Sequence, residues 1–305
     1  MVCSQGSQAR MAFDADSTFD ANSIHTDFVS EAMQKQGRLV GGKTVTGSRS
    51  RITERQRLGS YAVGGDITLQ PGPVLLDFLL PRILGAAEDA DSFLLAESLL
   101  GMSVMIDKVG SIFQYDSVYV DRAVFRAKAG PGDSDPELLA LMLKPMAKTE
   151  TEGATWAATI PVLPVTSNTM PYILSEAVLT LDSTPYQFSQ FALVIDNMLS
   201  PRWVNSLTAS AICPRDRQVQ LLVENPFSAT EYAAFYANAS QATGITGSLA
   251  FTNAAMSTTF SFPSLVWADE TPTVPGKTNI PYWISFSALK VGTSPEISVV
   301  NDSVA

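Results

Sequence analysis

Two stretches of this chain share one strand pattern at a fixed distance, which limits the folds open to it. Phe113-Gln114-Tyr115-Asp116-Ser117-Val118 precedes Phe260-Ser261-Phe262-Pro263-Ser264-Leu265 by 147 positions. Val29-Ser30-Glu31-Ala32-Met33 precedes Leu174-Ser175-Glu176-Ala177-Val178 by 145, and Pro131-Gly132 precedes Pro275-Gly276 by 144. Three matches in one order at nearly one offset favour an internal duplication. Two β-rich domains that share only hairpin patterning are the alternative.

The strings around these matches run in parallel. In the first half, Ile67 and Leu69 alternate with Asp66, Thr68 and Gln70 as a half-buried strand that Pro71-Gly72-Pro73 ends. A helix is predicted over 74–84, with Leu75, Phe78, Leu79 and Ile83 on one stripe and Pro81 kinking or shortening it. Strands follow over 102–106, 111–120 and 138–143. In the second half, strands over 173–181 and 188–195 join at Asp182-Ser183-Thr184-Pro185, and Val219 and Leu221 alternate with Gln218 and Gln220. A helix capped by Ser228 and Glu231 then carries Tyr232, Phe235 and Tyr236. Strands over 247–251, 258–267 and 282–289 close the series. The organisation read from this is an N-terminal arm (1–27) too polar to order without a partner, a first module (28–150), a Pro/Thr linker (151–170) and a second module with a short tail (171–305).

Composition removes several function classes. The 305 residues are 46% hydrophobic, enough for real cores, but only 16% are charged, a pale surface that suits a protein largely covered by partners. A net charge of −10 argues against a general grip on phosphate backbones. Cys3 and Cys213 stand alone, without the spacing of a zinc site or a disulfide scaffold. The one histidine, His25, falls in the polar arm, a poor place for a nucleophile–base pair. Gly41-Gly42-Lys43-Thr44 lacks the first glycine of a phosphate loop and reads as a hairpin turn. Asp133-Ser134-Asp135 and Glu88-Asp89-Ala90-Asp91 read as solvated loop charge before calcium or acid/base sites. The first twenty residues hold no apolar block, and the uncharged stretch 153–175 is broken by Pro161, Pro164 and Pro171. Neither a signal peptide nor a membrane span is expected. No catalytic, cofactor or metal residue is assigned; a carbohydrate-active sandwich using two carboxylates is the enzyme alternative.

One segment reverses the overall charge. Lys35, Arg38, Lys43, Arg49, Arg51, Arg55 and Arg57 face a single acid, Glu54, between residues 35 and 57. Such a ribbon can bind nucleic acid, but docking on the acidic body of another copy is the reading placed first.

Residues 171–181 (Pro171-Tyr172-Ile173-Leu174-Ser175-Glu176-Ala177-Val178-Leu179-Thr180-Leu181), 191–197, the Arg215-Asp216-Arg217 turn, the helix expected after Asn225-Pro226 and the close Val299-Val300-Asn301-Asp302 together resemble the tail tube (major tail) protein of long-tailed, siphovirus-like bacteriophages. The likeness covers about 170–302 well and 29–150 more loosely. It implies a mainly β fold of two tandem tail-tube-type β-sandwich modules, each with a flanking helix, joining neighbours into a closed inner β-barrel. Three two-module copies would complete a pseudo-sixfold ring, favoured over a hexamer. Six modules of four strands, at ~4.8 Å spacing and ~40° tilt, give a barrel roughly 40–50 Å across, wide enough for a duplex.

The resemblance further implies a virion tail protein, assembled in the host cytoplasm, whose stacked rings conduct the genome to the host. Its partners would be itself, a tape measure protein in the lumen, tail terminator and distal tail or baseplate proteins at the ends, and DNA in non-specific transit. No cofactor and no membrane are implied. The arm and the basic ribbon are expected to stack rings. Asp66, Thr68, Gln70, Gln218 and Gln220 are the candidates to face the lumen. A tail terminator, distal tail or head decoration protein is the nearest alternative.

Overall fold

The computed structural model describes residues 5–41, 56–130, 137–162, 169–226, 244–268, 274 and 280–303. The chain is mainly antiparallel β-structure, and among the described residues the helix Pro73–Leu84 is the one α-helix. Strand alternation places one face of each strand in a core that includes Phe13, Tyr115, Phe125, Phe191, Phe251, Phe260 and Phe286. The predicted second helix, with Ser228, Glu231, Tyr232, Phe235 and Tyr236, lies outside the described residues.

One sheet runs through both halves. Its strands pair in the order Ser30–Glu31, Ile67–Leu69, Ala140–Ala147, Ile112–Lys128, Gln190–Asp196, Gln218–Pro226, Pro281–Ala288 and Met256–Trp267. The join between the halves is a ladder from Arg122↔Asp196 to Lys128↔Gln190. Among the described residues two outer sheets continue from it through its bulged strands, in one hydrogen-bonded network. The first holds Ile24–Thr26, Arg10–Asp14, Met102–Asp107, the beginning of Ile112–Lys128, and Thr149–Glu152. The second holds Thr184–Tyr186, Ala177–Leu181, Ile245–Asn253, the beginning of Met256–Trp267, Ser298–Asp302 and Ser92–Leu94.

The same succession of pairings thus occurs twice, down to its irregularities. The Ile112–Lys128 strand carries an extra residue where Met102↔Val118 passes to Val104↔Tyr115. The Met256–Trp267 strand does so where Ile245↔Leu265 passes to Gly247↔Phe262. Each bulge bends its strand from an outer sheet into the shared one. Asp116-Ser117 and Pro263-Ser264 therefore occupy the same place, at the offset of 147 read from the letters.

Other expectations are corrected. Val29–Met33 does not correspond to Leu174–Val178, because Ser30–Glu31 takes the place that Gln190–Asp196 holds in the second half. The strand Ala177–Leu181 instead matches Arg10–Asp14, each pairing with the first strand of the bulged pair. Ala177–Leu181 and Gln190–Asp196 also do not pair with each other. Asp182 and Ser183, at φ 47° and 65°, turn the chain into the short partner Thr184–Tyr186. Arg10–Asp14, expected in an arm, pair with the chain's own Met102–Asp107 and with Ile24–Thr26, and Met11, Ala12 and Phe13 are fully buried. Trp156 and Ile160, expected in a linker, pack with Ala12, Phe19 and Met105 in a small second core.

The helix begins with Pro73 after an extended Gly72 and ends at Gly85, whose φ of 100° closes it through an N–H to the Pro81 carbonyl. Pro81 falls in the last turn, so the helix runs through it to Leu84. It fastens the halves together. Asn301 Nδ2 donates to the Pro73 carbonyl at 2.9 Å, the Ser303 hydroxyl donates to Asp77, and Asn197 Nδ2 donates to the Ile83 and Val120 carbonyls at 3.1 and 3.0 Å.

Candidate assembly edges and channel face

The shared sheet has a buried face and an open one. Reading across paired residues, the row Ile67, Leu143, Ala123, Ile195 and Val219 is buried. The next row, Ser30, Thr68, Met142, Val124, Val194, Gln220, Ser287 and Val266, crosses all eight strands on the opposite face. Thr68 and Gln220, expected on one surface from the alternation, stand in this single row. Gln218 lies one row along, in line with Asp196, Arg122 and Lys144. Asp66 is exposed on the same face as Thr68. Gln70 follows the strand's end at Leu69 and borders a different hollow, beside His25 and Val74.

The charges on this face nearly cancel. Arg122, Arg126, Lys128 and Lys144 stand against Asp66, Asp196 and Glu224, and Arg122 lies 4.0 Å from Asp196. Lys144 also reaches Asp121 at 3.4 Å. The chain's excess of acid is therefore carried elsewhere.

At one rim of this sheet the strands Ser30–Glu31 and Gln34–Gln36 each pair, among the described residues, on one side only, with Ile67–Leu69 and Ala62–Gly64. Gly65 makes this rim possible. Its φ is 153°, and a Cβ there would lie 2.0 Å from the Ala32 carbonyl oxygen. Behind the rim, Lys108 pairs with Glu31 at 3.1 Å, and Tyr115 donates its hydroxyl to the Met33 carbonyl at 3.0 Å. The other rim is the end of Met256–Trp267, where Leu265–Trp267 pair with Phe286–Ala288.

The basic ribbon grows from the first rim as a hairpin, Leu39–Gly41 with Gln56–Leu58. Lys35 sits over the Tyr61 ring at 4.2 Å, while Arg38 and Arg57 are exposed. Lys43, Arg49, Arg51 and Arg55 lie outside the described residues. A second hairpin, Ser200–Arg202 with Ala211–Cys213, stands at the matching place in the other half. The hairpin turn expected at Gly41-Gly42-Lys43-Thr44 lies, past Gly41, outside the described residues; sequence reasoning missed the second hairpin and the rim, because each is a strand of two or three residues.

Near the small core, Arg10 stacks over Trp156 at 4.5 Å and bonds Asp107 at 2.6 Å. Burial pushes the Asp107 carboxyl up, but the hydrogen bonds from Arg10 and Gly110 and the Arg10 charge leave it below the usual carboxylate range. Burial lowers His25, which meets Trp156 edge-on. Among the described residues no three His, Cys, Asp or Glu side chains gather as a metal site, and no helix is long and apolar enough to cross a membrane.

A family model described as phage tail tube protein matches residues 6–288. No curated protein matches the chain.

Proposed function

Because the chain belongs to the phage tail tube protein family, a structural tail component, we propose that it polymerises through its two sheet rims into stacked rings that form the tail tube of a long-tailed phage and conduct the genome into the host. The observation that carries this reading is the ladder Arg122–Lys128 against Gln190–Asp196. It joins two like arrangements of strands within one chain, and it leaves a rim at each end that calls for the same completion. Such rims need cover, and repeated head-to-tail pairing closes into a ring.

Each half contributes four strands to the shared sheet. Three copies would place 24 strands in the barrel, roughly 48 Å across at ~4.8 Å spacing and ~40° tilt. The two halves then act as tandem tail-tube modules, and the trimer takes pseudo-sixfold symmetry. The open face carrying Thr68, Gln218 and Gln220 becomes the lumen. With four cations against three acids per chain, that lining neither grips phosphates strongly nor repels them strongly, which suits DNA that must slide. A tape measure protein fills the lumen before ejection, terminator and distal tail proteins close the ends, and assembly takes place in the host cytoplasm. Residues before Arg10 and the arginines Arg49, Arg51 and Arg55 are left to contact the adjacent ring.

Negative-stain electron microscopy of the purified chain tests the reading. Long hollow tubes are the expected product. A folded chain that remains dispersed as single subunits at high concentration refutes it.

A further inference from the structure

The two hairpins are built alike. Each continues the ladder beneath it with a slip of one residue, from Gln36↔Ala62 to Leu39↔Leu58 in the first half and from Asp196↔Gln218 to Ser200↔Cys213 in the second. Laid over each other through those ladders, Leu39 coincides with Leu199, Gly41 with Pro201 and Gln56 with Ile212. Their surroundings differ. The second-half hairpin leans back over the first half: the Tyr61 N–H donates to the Leu207 carbonyl at 3.0 Å, and the Leu199 N–H donates to Asp121 Oδ1 at 2.6 Å. Pro201, Trp203 and Ile212 enclose a groove of about 270 Å³ against Tyr61–Asp66 and Lys144–Ala147. Leu199 is 8% exposed. The first-half hairpin has no such neighbour in the described chain, and Leu39 is 65% exposed, Val40 50% and Leu58 72%.

We propose that the root of the first-half hairpin, Leu39–Gly41 with Gln56–Leu58, docks sideways onto a second copy of this chain, in the groove bounded by Arg217–Gln220 and Ser285–Ala288. The matched ladders name that groove: Tyr61–Gly64 corresponds to Arg217–Gln220, and Lys144–Ala147 to Ser285–Ala288. Gln218 and Ser285 are exposed in the single chain. A surface of three neighbouring large apolar side chains at the end of an unpaired rim is a docking surface. The body that stands beside the first half as the first half stands beside the second is another copy's second half. The inference rests on the ring-forming reading and assigns this root to contacts within a ring, not between rings.

Leu39→Asp in the full chain tests it, since an exposed side chain can take the charge without loss of fold. Unchanged circular dichroism and melting are expected, with the main sedimenting species shifted from assemblies to monomer. A second test places cysteines at Gln56→Cys and Ser285→Cys, with Cys3→Ser and Cys213→Ser. A short bis-maleimide should then link chains into covalent dimers and closed trimers, and either single-cysteine chain should give none. Normal tubes from Leu39→Asp, or discrete unstacked rings, overturn the inference and leave the tube reading intact. Absence of any cross-link in formed tubes does the same. A parent chain that never assembles overturns both.

Discussion

Replacing Asn197 tests whether the two halves are one cooperative body. Its side chain is 2% exposed, and its amide donates to the Ile83 carbonyl in the last helical turn and to the Val120 carbonyl beside the seam. Asn197→Ala removes two hydrogen bonds, each worth about 1 kcal/mol net, and leaves two buried carbonyls without a donor, at about 1–3 kcal/mol for each that water cannot reach. The expected loss is about 3 kcal/mol, a large share of the roughly 5–15 kcal/mol that holds a domain folded. Urea unfolding followed by tryptophan fluorescence should show one transition with unchanged slope. For a slope of about 3 kcal/mol/M the midpoint falls by roughly 1 M. Asn197→Asp sharpens the test, because it sets an acceptor against two acceptors. Its carboxyl must be raised in the folded state, so stability relative to the parent is greatest below the ordinary aspartate range and falls as pH rises through the folded value. A loss under about 0.5 kcal/mol for Asn197→Ala, or two separate transitions, refutes the reasoning.

Phe125 is fully buried and meets Phe260 across the halves at 5.2 Å, so Phe125→Ala should cost about 3–5 kcal/mol and lower one calorimetric peak without splitting it. Gly65→Val forces the Ala32 carbonyl away from the rim; assembly measured by sedimentation should fail at temperatures where circular dichroism still reports the folded core. Arg10→Ala should cost about 1 kcal/mol at pH 7 by chemical unfolding. Because Asp107 is held below the usual range, that difference should be complete above the ordinary carboxylate range and shrink as pH falls through the folded value. In the proposed three-copy ring Thr68→Arg would add three positive charges to the lumen, and virions carrying it should eject DNA more slowly, most clearly at low salt.

Much of the sheet was legible, because a half-buried strand writes its alternation into the letters, as in Phe113 and Tyr115 or Phe260 and Phe262. The bulges were not read from the letters, although the repeated six-residue words contain them. What escaped was anything whose partner lies far along the chain. Met11-Ala12-Phe13 is an ordinary short apolar run until Met102–Asp107 comes beside it. The Ile112–Lys128 strand was expected to stop at Val120, although Ala123, Phe125 and Ala127 keep the alternation after one irregular step at Asp121. That step is the register shift between Val120 and Arg122, and it hid the seam. The match of Val29–Met33 to Leu174–Val178 failed for the opposite reason: similar letters occupy different places in the ladder.

The duplicated pattern also has an asymmetry that bears on assembly. Inside the chain the seam is locked, with the Asn197 N–H donating to the Asp121 carbonyl at 2.7 Å and the Leu199 N–H to the Asp121 carboxylate. At the corresponding positions on the rims, the ladders put Gly37 in place of Asn197 and Ala268 in place of Asp121, both exposed. Neither can make the side-chain bonds of the lock. In the proposed ring, each join between copies would thus have backbone pairing and hairpin burial without the buried polar anchor, and would be weaker per site than the join within a copy. Such a difference favours cooperative assembly, since two copies joined at one rim separate readily whereas a copy held at both rims does not. Strength in the finished tube would then come from closure, where every rim is covered at once, and not from any single contact.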